Sequence, residues 1–218
     1  MRAGLRRAVD RAVASVRRLR PGSFAFAGGD YRYFVHAYNV TWRNERAVEL
    51  PIVLRALDEH PGARVLEIGN VLAHYGHGGH DVVDRYETAP GVRSIDVVEL
   101  EAEEPYDLVV TISTLEHVGF DEDERDPDKP RRALERMASV LAPGGTLLVT
   151  VPLGYNEALD RDLREGRIAF DELRFLKRVS PRNHWREVPA SEAEGIEYGA
   201  PYPWANGLAV GIRRAQRL

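Results

Sequence analysis

The residues best suited to form a ligand site follow two short apolar runs in the first half of the chain. Gly69 ends the run Val65-Leu66-Glu67-Ile68, and Asp84 ends the run Asp81-Val82-Val83. Ligands of open α/β sheets bind at the carboxyl ends of the strands, where a glycine lets the chain turn and a ligand approach the backbone. A carboxylate there can accept hydrogen bonds from both hydroxyls of a ribose. We therefore predict a nucleoside site with Asp84 as the ribose acid and Glu87 as the fallback, against the alternative of a surface acid.

Two other kinds of site are disfavoured by the residues around Gly69. A dinucleotide fingerprint needs glycines two and five positions later, where Val71 and His74 stand, and no Walker phosphate loop is present. His74, His77 and His80 lie in a glycine-rich loop, but they have neither a thiolate partner nor a tight i, i+4 pair. We predict no metal site.

A second group of candidates could contact a substrate. The aromatic segment 31–42 and the charged residues after it could form a lid over a pocket. The alternative is that these residues pack against the sheet, or that a tryptophan anchors a loop. The candidate substrate residues are Tyr38, Trp42, Arg43, Glu45, Tyr155, His184 and Trp185.

The elements that must position these residues can be predicted from hydrophobic patterning. Apolar runs predict strands over 65–68, 81–87, 92–97, 106–113 and 146–152, with two more over 174–179 and 207–213. Amphipathic helices are predicted over 45–60, where Pro51 interrupts or kinks the helix, and over 131–141. Strands that alternate with helices or short connections indicate a three-layer, doubly wound, mostly parallel sheet of about seven strands. The connections near 69–81 and 87–92 leave room only for abbreviated helices.

Size and composition favour a soluble globular protein. The chain has 218 residues, 44% of them hydrophobic and 29% charged, a formal charge of −4 and no cysteine. Its negative charge argues against nucleic acid as a binding partner. Its apolar runs are too short to cross a membrane, and it lacks a signal peptide's apolar middle. We therefore expect a cytoplasmic protein. Residues 2–20 predict a basic amphipathic helix, which could bind an anionic partner but is more simply a docking or homo-oligomer contact.

Taken together, these motifs resemble the class I S-adenosylmethionine-dependent methyltransferases over about residues 62–155. The resemblance is carried by segments 65–69, 95–97, 106–110, 115–118 and 141–147, together with Asp84. It implies a Rossmann-like methyltransferase domain over 61–218, preceded by an N-terminal helical or lid extension over 1–60. One departure is clear, because Asn70, Val71 and Leu72 stand where family members often have further glycines.

The resemblance also implies a role for individual residues. Glu67 and Gly69 would stand by the methionine moiety, Asp84 would hold the ribose, and Asp96 and Val97 would flank the adenine. Ser113 and Leu115 would border the sulfur. The remaining cofactor neighbours are Asn70, Tyr86 and Glu87.

Methyl transfer requires that the nucleophile and the methyl group be held in contact, and a hydroxyl or amine acceptor benefits from a base. We predict His117 as that base, since histidine titrates near neutrality and this one follows the fourth strand. Glu116, His36, Tyr155 and His184 are lesser candidates. The sequence thus indicates a methyltransferase for a small molecule, such as a sugar or a natural-product intermediate. The alternatives are an enzyme that consumes S-adenosylmethionine in other chemistry and a non-catalytic binding module.

Overall fold

The structure is a computed structural model and describes residues 2–217. Within these residues the helices are α1 (Arg2–Arg18), α2 (Arg46–Asp58), α3 (Lys129–Ser139), α4 (Glu157–Arg164) and α5 (Ala190–Ala193). The strands are β1 (Ser23–Phe26), β2 (Gly29–Arg32), β3 (Val65–Ile68), β4 (Asp81–Val83), β5 (Val92–Arg93), β6 (Tyr106–Ile112), β7 (Leu141–Pro152), β8 (Glu172–Arg178), β9 (Trp185–Val188) and β10 (Gly207–Arg214).

Eight strands form one twisted sheet in the order β5-β4-β3-β6-β7-β10-β8-β9. The pairs from β5 to β7 are parallel, whereas β10 is antiparallel to both β7 and β8, and β9 is antiparallel to β8. Strand β8 therefore runs in the same direction as β7. This confirms the mostly parallel, Rossmann-like sheet predicted from the sequence, with β9 as an additional edge strand.

Both faces of the sheet are covered, which gives three layers. Leu134 and Met137 of α3 and Leu159 of α4 pack on one face. Val48 and Ile52 of α2 pack on the other face, together with the hairpin β1–β2. Strands buried on both faces are almost continuously apolar, and that is why the runs of β6 and β7 were recognisable in the sequence.

Helix α2 continues through Pro51 instead of breaking there. A proline removes the N–H that would bond the carbonyl four residues earlier, which is Ala47. That carbonyl accepts a hydrogen bond from the backbone N–H of Phe34 at 2.9 Å. The helix tolerates its proline because a neighbouring segment supplies the missing donor, so the predicted interruption is wrong.

The hairpin β1–β2 was not predicted. Its two-residue turn is Ala27-Gly28, with φ angles of 50° and 76°. Turns of this type usually begin with asparagine, aspartate or glycine, and an alanine hides the signal. Phe24 and Phe26 alternate with exposed residues and enter the α2 face of the core. The division of the chain at residue 60 stays a prediction.

Three further boundaries differ from the sequence-based prediction. The predicted turn at 142–145 is part of β7, whose pairing with β6 shifts register in this region. Strand β9 occupies a segment that was predicted to be a loop. Strands β4 and β5 are shorter than predicted, because the chain leaves the sheet at Asp84 and again before Asp96.

Helix α1 forms as predicted, but most of its large apolar side chains, Leu5, Val9 and Val16, remain exposed, as does Leu19 directly after the helix. It contacts the rest of the chain through Ala14, which packs with Val35 and Trp42. A homo-oligomer formed through α1 stays a prediction. Among the residues that the structure describes, none of the helices has the length and apolarity to cross a membrane.

Candidate active site at the carboxyl edge of the sheet

The carboxyl ends of β3, β4, β5 and β6 lie side by side, because these strands are parallel neighbours. Backbone hydrogen bonds extend the pairing beyond the strands. The Gly69 N–H donates to the Val83 carbonyl at 2.8 Å, and the Asp84 N–H donates to the Arg93 carbonyl at 3.1 Å. The glycine and the acid that the sequence singles out therefore meet at one edge of the sheet.

A cleft of about 210 Å³ opens at this edge. Its lining combines apolar side chains with charged and polar groups: Ile68, Gly69, Val83, Asp84, Arg85, Tyr86, Ile95, Asp96, Val97, Thr114, His117, Val118 and Glu122. An apolar slot with a few placed polar groups is the usual form of a small-molecule site. The predicted cofactor residues Gly69, Asp84, Tyr86, Asp96 and Val97 and the predicted base His117 all line this cleft.

Gly69 is required by two features of its surroundings. Its φ of +86° is in the left-handed region, and a Cβ added there would lie 2.2 Å from the Thr114 Oγ1. Any side chain would thus be strained and would overlap the segment that follows β6. Thr114 packs against the side of Gly69 that a side chain would occupy, and Gly69 lines the cleft with its backbone alone.

Asp84 has a fixed carboxylate. Its Oδ1 accepts hydrogen bonds from the N–H groups of Tyr86 at 2.8 Å and Glu87 at 2.7 Å, and its Oδ2 accepts one from Asn70 at 3.2 Å. A carboxylate has about four acceptor positions, so these three donors leave capacity for a ligand hydroxyl. Asp84 is thereby held in one orientation at the mouth of the cleft and joins the loops after β3 and β4.

Asn70 leaves one buried acceptor unused. Its Nδ2 donates to the Glu87 Oε1 at 2.9 Å, while its Oδ1 is buried and has no hydrogen-bond partner. A buried polar atom without a partner is unfavourable in the protein alone and favourable to a donor that reaches it. Asn70 thus offers an acceptor beside Gly69.

Asp96 belongs to an ion-pair network at the other end of the cleft. Its Oδ2 lies 2.6 Å from the Lys129 Nζ and 2.9 Å from Arg85 Nη1, and both cations also contact Glu122. Burial raises the pKa of Glu122, but hydrogen bonds from Lys129, the Gly119 N–H and Arg85 outweigh it and lower the pKa to about 2. The network fixes Asp96 and ties α3 to the floor of the cleft.

Five other predicted cofactor residues do not line the cleft: Glu67, Asn70, Glu87, Ser113 and Leu115. Glu67 is fully buried, with its Oε1 accepting from the N–H groups of Val71 and Leu72 and its Oε2 lying 2.8 Å from the His80 Nε2. Contact with a cofactor would require exchange of one of these bonds. Leu115 packs in the core. Their predicted roles toward a cofactor stay predictions.

A buried group of charges lies where α2 meets the ends of β6 and β7. We call Glu45, Glu49 and Glu116, together with Arg46, the carboxyl cluster. The Glu49 Oε1 accepts from the Ser113 Oγ at 2.5 Å and from the Thr150 Oγ1 at 2.7 Å, and its Oε2 pairs with Arg46. Ser113 holds a φ of +40°, a strained conformation for a residue with a side chain.

Glu116 is the carboxyl of this cluster that has an orphaned oxygen among residues 2–217. Its side chain is buried, its Oε2 has no hydrogen-bond partner, and burial raises its pKa well above the ordinary range, a direction that Glu49 and Glu45 reinforce and Arg46 opposes. The Tyr75 hydroxyl is likewise buried without a partner. Burial raises the pKa of Tyr75 to about 12, although Arg46 lowers it.

Two more tyrosines border the cluster. The rings of Tyr155 and Tyr198 meet edge to face at a centroid distance of 5.1 Å. Burial raises the pKa of Tyr198 to about 12, and Glu45, Glu116 and Glu49 act in the same direction against Arg46.

His117 connects the cleft to the carboxyl cluster and to the surface. Its Nε2 lies 3.6 Å from the Glu116 Oε1, and its Nδ1 lies 2.5 Å from the Asp121 Oδ2. Asp121 also accepts a hydrogen bond from the Tyr155 hydroxyl at 2.7 Å. The predicted base thus stands between a buried carboxyl and an exposed one.

Of the predicted substrate residues, the structure brings Glu45 and Tyr155 to the carboxyl cluster. Tyr38 stacks on His74 at 4.9 Å, which in turn lies 3.3 Å from Glu87. The Trp42 ring packs beneath the Arg17 guanidinium. Arg43 is exposed.

His184 and Trp185 belong to the β8–β9 hairpin. Trp185 donates its indole N–H to Asn183 and packs in the α2-face core, and His184 is exposed. Their contact with a substrate, like that of Tyr38, Trp42 and Arg43, stays a prediction.

The three loop histidines have different partners. His74 pairs with Glu87 and His80 pairs with Glu67, whereas the His77 ring makes no hydrogen bond within residues 2–217. In residues 2–217, no group of three or more histidine, aspartate or glutamate side chains is arranged to hold a metal ion.

The sequence analysis missed Arg46, Glu49, Tyr75 and Tyr198. One signal was available: Glu49 interrupts an otherwise apolar run, Ala47 to Val53, on a helix that must face the core. A buried acid in such a run needs partners, which the strand ends supply.

No model of a known protein family matches this chain, and no curated protein matches it. Among solved structures, the chain is similar to the N-methyltransferase NodS from Bradyrhizobium japonicum WM9 in complex with S-adenosyl-L-homocysteine, at 16% identity over 75% of this chain and 84% of that chain, with a TM-score of 0.45.

Two further structures show a similar likeness. The sugar N-methyltransferase KedS8 from Streptoalloteichus sp ATCC 53650 is 20% identical over 88% of this chain and 98% of that chain, with a TM-score of 0.41. The 1,6-didemethyltoxoflavin-N1-methyltransferase from Burkholderia thailandensis is 18% identical over 78% and 79%, with a TM-score of 0.42. Likenesses this distant carry no argument about what the present chain binds, so the proposal below is drawn from its own residues.

Proposed function

We propose that this protein is an S-adenosylmethionine-dependent methyltransferase that acts on a small molecule. The observation that carries the proposal is the cleft at the carboxyl edge, where Gly69 and Asp84 meet. A bare-backbone floor, a fixed carboxylate and an apolar slot are the features that an adenosyl group requires.

The residues present fit this cofactor at three points. Gly69 presents only backbone to the cleft, because Thr114 occupies the place where a side chain would lie. Asp84 keeps acceptor capacity for ribose hydroxyls after its three backbone contacts. The orphaned Oδ1 of Asn70 is placed to accept from the ammonium group of the amino-acid moiety. The adenine would then lie by Asp96 and Val97.

The cofactor, when bound, supplies an electrophilic methyl group on a sulfonium sulfur. The chain's task is to orient an acceptor against it and to exclude water, which can lower the barrier by roughly 7–11 kcal/mol. The carboxyl cluster lies next to the cleft, since Glu116 and His117 are consecutive residues on the turn after β6. A proton released by an acceptor can pass to His117, the predicted base.

The burial of this second site favours a small acceptor over a macromolecule. Ser113, Glu49 and Glu116 are buried, and the formal charge of −4 does not favour nucleic acid. We therefore also propose a small-molecule partner. A cytoplasmic location is the accompanying proposal, drawn from the sequence alone.

Calorimetric titration with S-adenosylhomocysteine tests the proposal. We expect one site on the wild type and at least about tenfold weaker binding to Asp84→Asn, because charge-assisted hydrogen bonds to the ribose contribute about 1.5–3 kcal/mol. The matched control is Asp58→Asn, an exposed acid at the end of α2, which should bind as the wild type does.

The same titration separates the alternatives. No heat with the wild type would overturn the proposal and favour a non-catalytic module. If the nucleoside binds, incubation with methyl-labelled S-adenosylmethionine distinguishes transfer to an acceptor from chemistry that leaves the label on a thioether product.

A further inference from the structure

The carboxyl cluster has more acid than its own partners can balance. Glu45, Glu49 and Glu116 face two buried cations: Arg46, whose guanidinium pairs with Glu49, and Arg178, whose charge acts on Glu45. The Glu45 Oε2 accepts one backbone hydrogen bond, from Ala205 at 3.2 Å. Buried carboxyls in excess of their counter-ions are unfavourable when ionised and attract a cation.

Two buried polar atoms point to a ligand independently of this charge count. Within residues 2–217 the Glu116 Oε2 and the Tyr75 hydroxyl have no partner at hydrogen-bond geometry, and both side chains are more than nine-tenths buried. The Asn39 side chain lies near enough to the Tyr75 hydroxyl to lower its pKa. Glu116 and Tyr75 belong to separate segments, one after β6 and one in the turn after β3, and both face Arg46 and Glu49. Unpartnered groups that converge on one place are explained by a ligand that bonds to them.

The rings around the cluster suit a cation as well. Tyr155 and Tyr198 meet edge to face, and Tyr75 makes edge contacts with His36 and Tyr38 at 5.3 and 5.5 Å. Aromatic faces beside carboxylates are a common environment for an ammonium group, because the ring quadrupole attracts positive charge. An anionic acceptor would be repelled here, and a neutral hydroxyl would leave the excess charge uncompensated.

We propose that the methyl acceptor is a small primary or secondary amine bound at the carboxyl cluster, and that Glu116 takes the proton from its nitrogen. This inference rests on the proposed function and names its substrate class. A path for this proton to the surface begins at His117, whose Nε2 lies 3.6 Å from the Glu116 Oε1. The Nδ1 of His117 contacts the exposed Asp121.

The proton balance is simple. The ammonium form of the ligand transfers one proton to the Glu116 carboxylate, which leaves a neutral amine with a free electron pair. That pair forms the new nitrogen–carbon bond as the carbon–sulfur bond breaks, and its electrons go to the sulfur. The positive charge moves from sulfur to the methylated nitrogen, and the proton on Glu116 leaves through His117 and Asp121.

Burial makes Glu116 suited to this exchange. Its raised pKa, with Glu49 and Glu45 of α2 acting in the same direction against Arg46, brings the carboxyl closer to the pKa of an amine. The other titratable groups near it are His117 on its own turn and Tyr155 and Tyr198 across the cluster. None of these adds a buried cation to Arg46 and Arg178.

The test compares matched amines and alcohols as ligands of the S-adenosylhomocysteine complex, measured by calorimetry. The probes are benzylamine with benzyl alcohol, hexylamine with hexanol, and glucosamine with glucose. We expect at least one amine to bind about tenfold or more tightly than its alcohol, and Glu116→Gln to abolish the preference, since charge-assisted hydrogen bonds are the stronger ones. Glu103→Gln, an exposed acid, is the control that should keep the preference.

Failure of the inference is distinguishable from failure of the proposed function. If S-adenosylhomocysteine binds but no amine is preferred, or an alcohol is preferred, the amine assignment is overturned and the methyltransferase proposal stands. If the nucleoside does not bind, both are overturned.

Should Glu116→Gln not fold, the wild type supplies a second measurement. Its preference for the amine must weaken as the pH is lowered and Glu116 becomes protonated, and a preference independent of pH would contradict the role of Glu116.

Discussion

Replacing Gly69 with alanine tests the geometry of the cleft floor, and the structure provides a matched control. Gly69 and Gly76 have nearly equal φ angles, +86° and +84°. A Cβ at position 69 would lie 2.2 Å from the Thr114 Oγ1, whereas a Cβ at position 76 would meet nothing within 4 Å. The two substitutions therefore share backbone strain and differ in steric overlap.

The expected magnitudes follow from these two terms. Placing alanine in the left-handed region costs about 1–2 kcal/mol, which is the whole expected effect of Gly76→Ala. Overpacking adds about 1–3 kcal/mol, so Gly69→Ala should lower the free energy of unfolding by about 2–5 kcal/mol. Thr114→Ala removes the two atoms in closest approach but leaves a Cβ at 3.1 Å. Thr114→Ala in the Gly69→Ala background should therefore recover most of the overlap and none of the strain.

Urea unfolding of the wild type, Gly69→Ala, Gly76→Ala, Thr114→Ala and the Gly69→Ala/Thr114→Ala double variant measures these two energies. Calorimetry measures the affinity of each for S-adenosylhomocysteine. We expect Gly69→Ala to weaken nucleoside binding at least about tenfold and Gly76→Ala to leave it unchanged. Equal destabilisation by Gly69→Ala and Gly76→Ala, or no recovery in the double variant, would refute the proposed packing of Gly69 against Thr114.

Three other substitutions test the charged groups of the site. For Glu116, the native pKa is raised, so the folded chain holds a proton that the unfolded chain has lost above about pH 4.5. Between about pH 4.5 and the raised pKa of folded Glu116, the wild type should lose up to about 1.4 kcal/mol of stability per pH unit relative to Glu116→Gln. Urea titrations measure this difference, and parallel pH profiles for the two proteins would contradict the prediction. For Glu122, the native pKa is lowered to about 2, so its stabilisation should be present above about pH 4.5 and lost as the pH falls toward 2. Glu122→Gln should remove that acid-dependent loss of stability and leave Asp96 as the carboxylate that pairs with Lys129. Thermal unfolding of the two proteins between pH 2 and 6 measures the difference. For His117→Gln, we expect the turnover number for an amine acceptor to fall about tenfold or more with unchanged S-adenosylhomocysteine affinity, and a changed affinity with unchanged turnover would contradict a role in proton transfer.

The parts of the fold that the sequence predicted are those with a local signal. Strands β3, β6 and β7 are largely buried and appear as apolar runs, and their parallel order then brings their carboxyl ends to one edge. Gly69, Asp84 and Asp96 could be placed together because each follows such a run. The hairpin β1–β2 lacked its signal, since Ala27 occupies a turn position that favours asparagine or glycine.

The carboxyl cluster could not be predicted because it depends on how α2 is oriented over the sheet. Glu49 and Ser113 are 64 residues apart, and Glu49 and Thr150 are 101 apart. The pattern of α2 shows that Glu49 is on a buried helix, but not which strand ends it meets. Pro51 illustrates the same limit, because the donor that rescues the Ala47 carbonyl comes from Phe34, on a separate segment.

The most direct test of the account is a crystal structure of the wild type with S-adenosylhomocysteine. The account predicts the nucleoside in the cleft over Gly69, with both ribose hydroxyls within hydrogen-bond distance of Asp84 and the sulfur directed toward Glu116. A nucleoside bound elsewhere, or one whose ribose avoids Asp84, would contradict it.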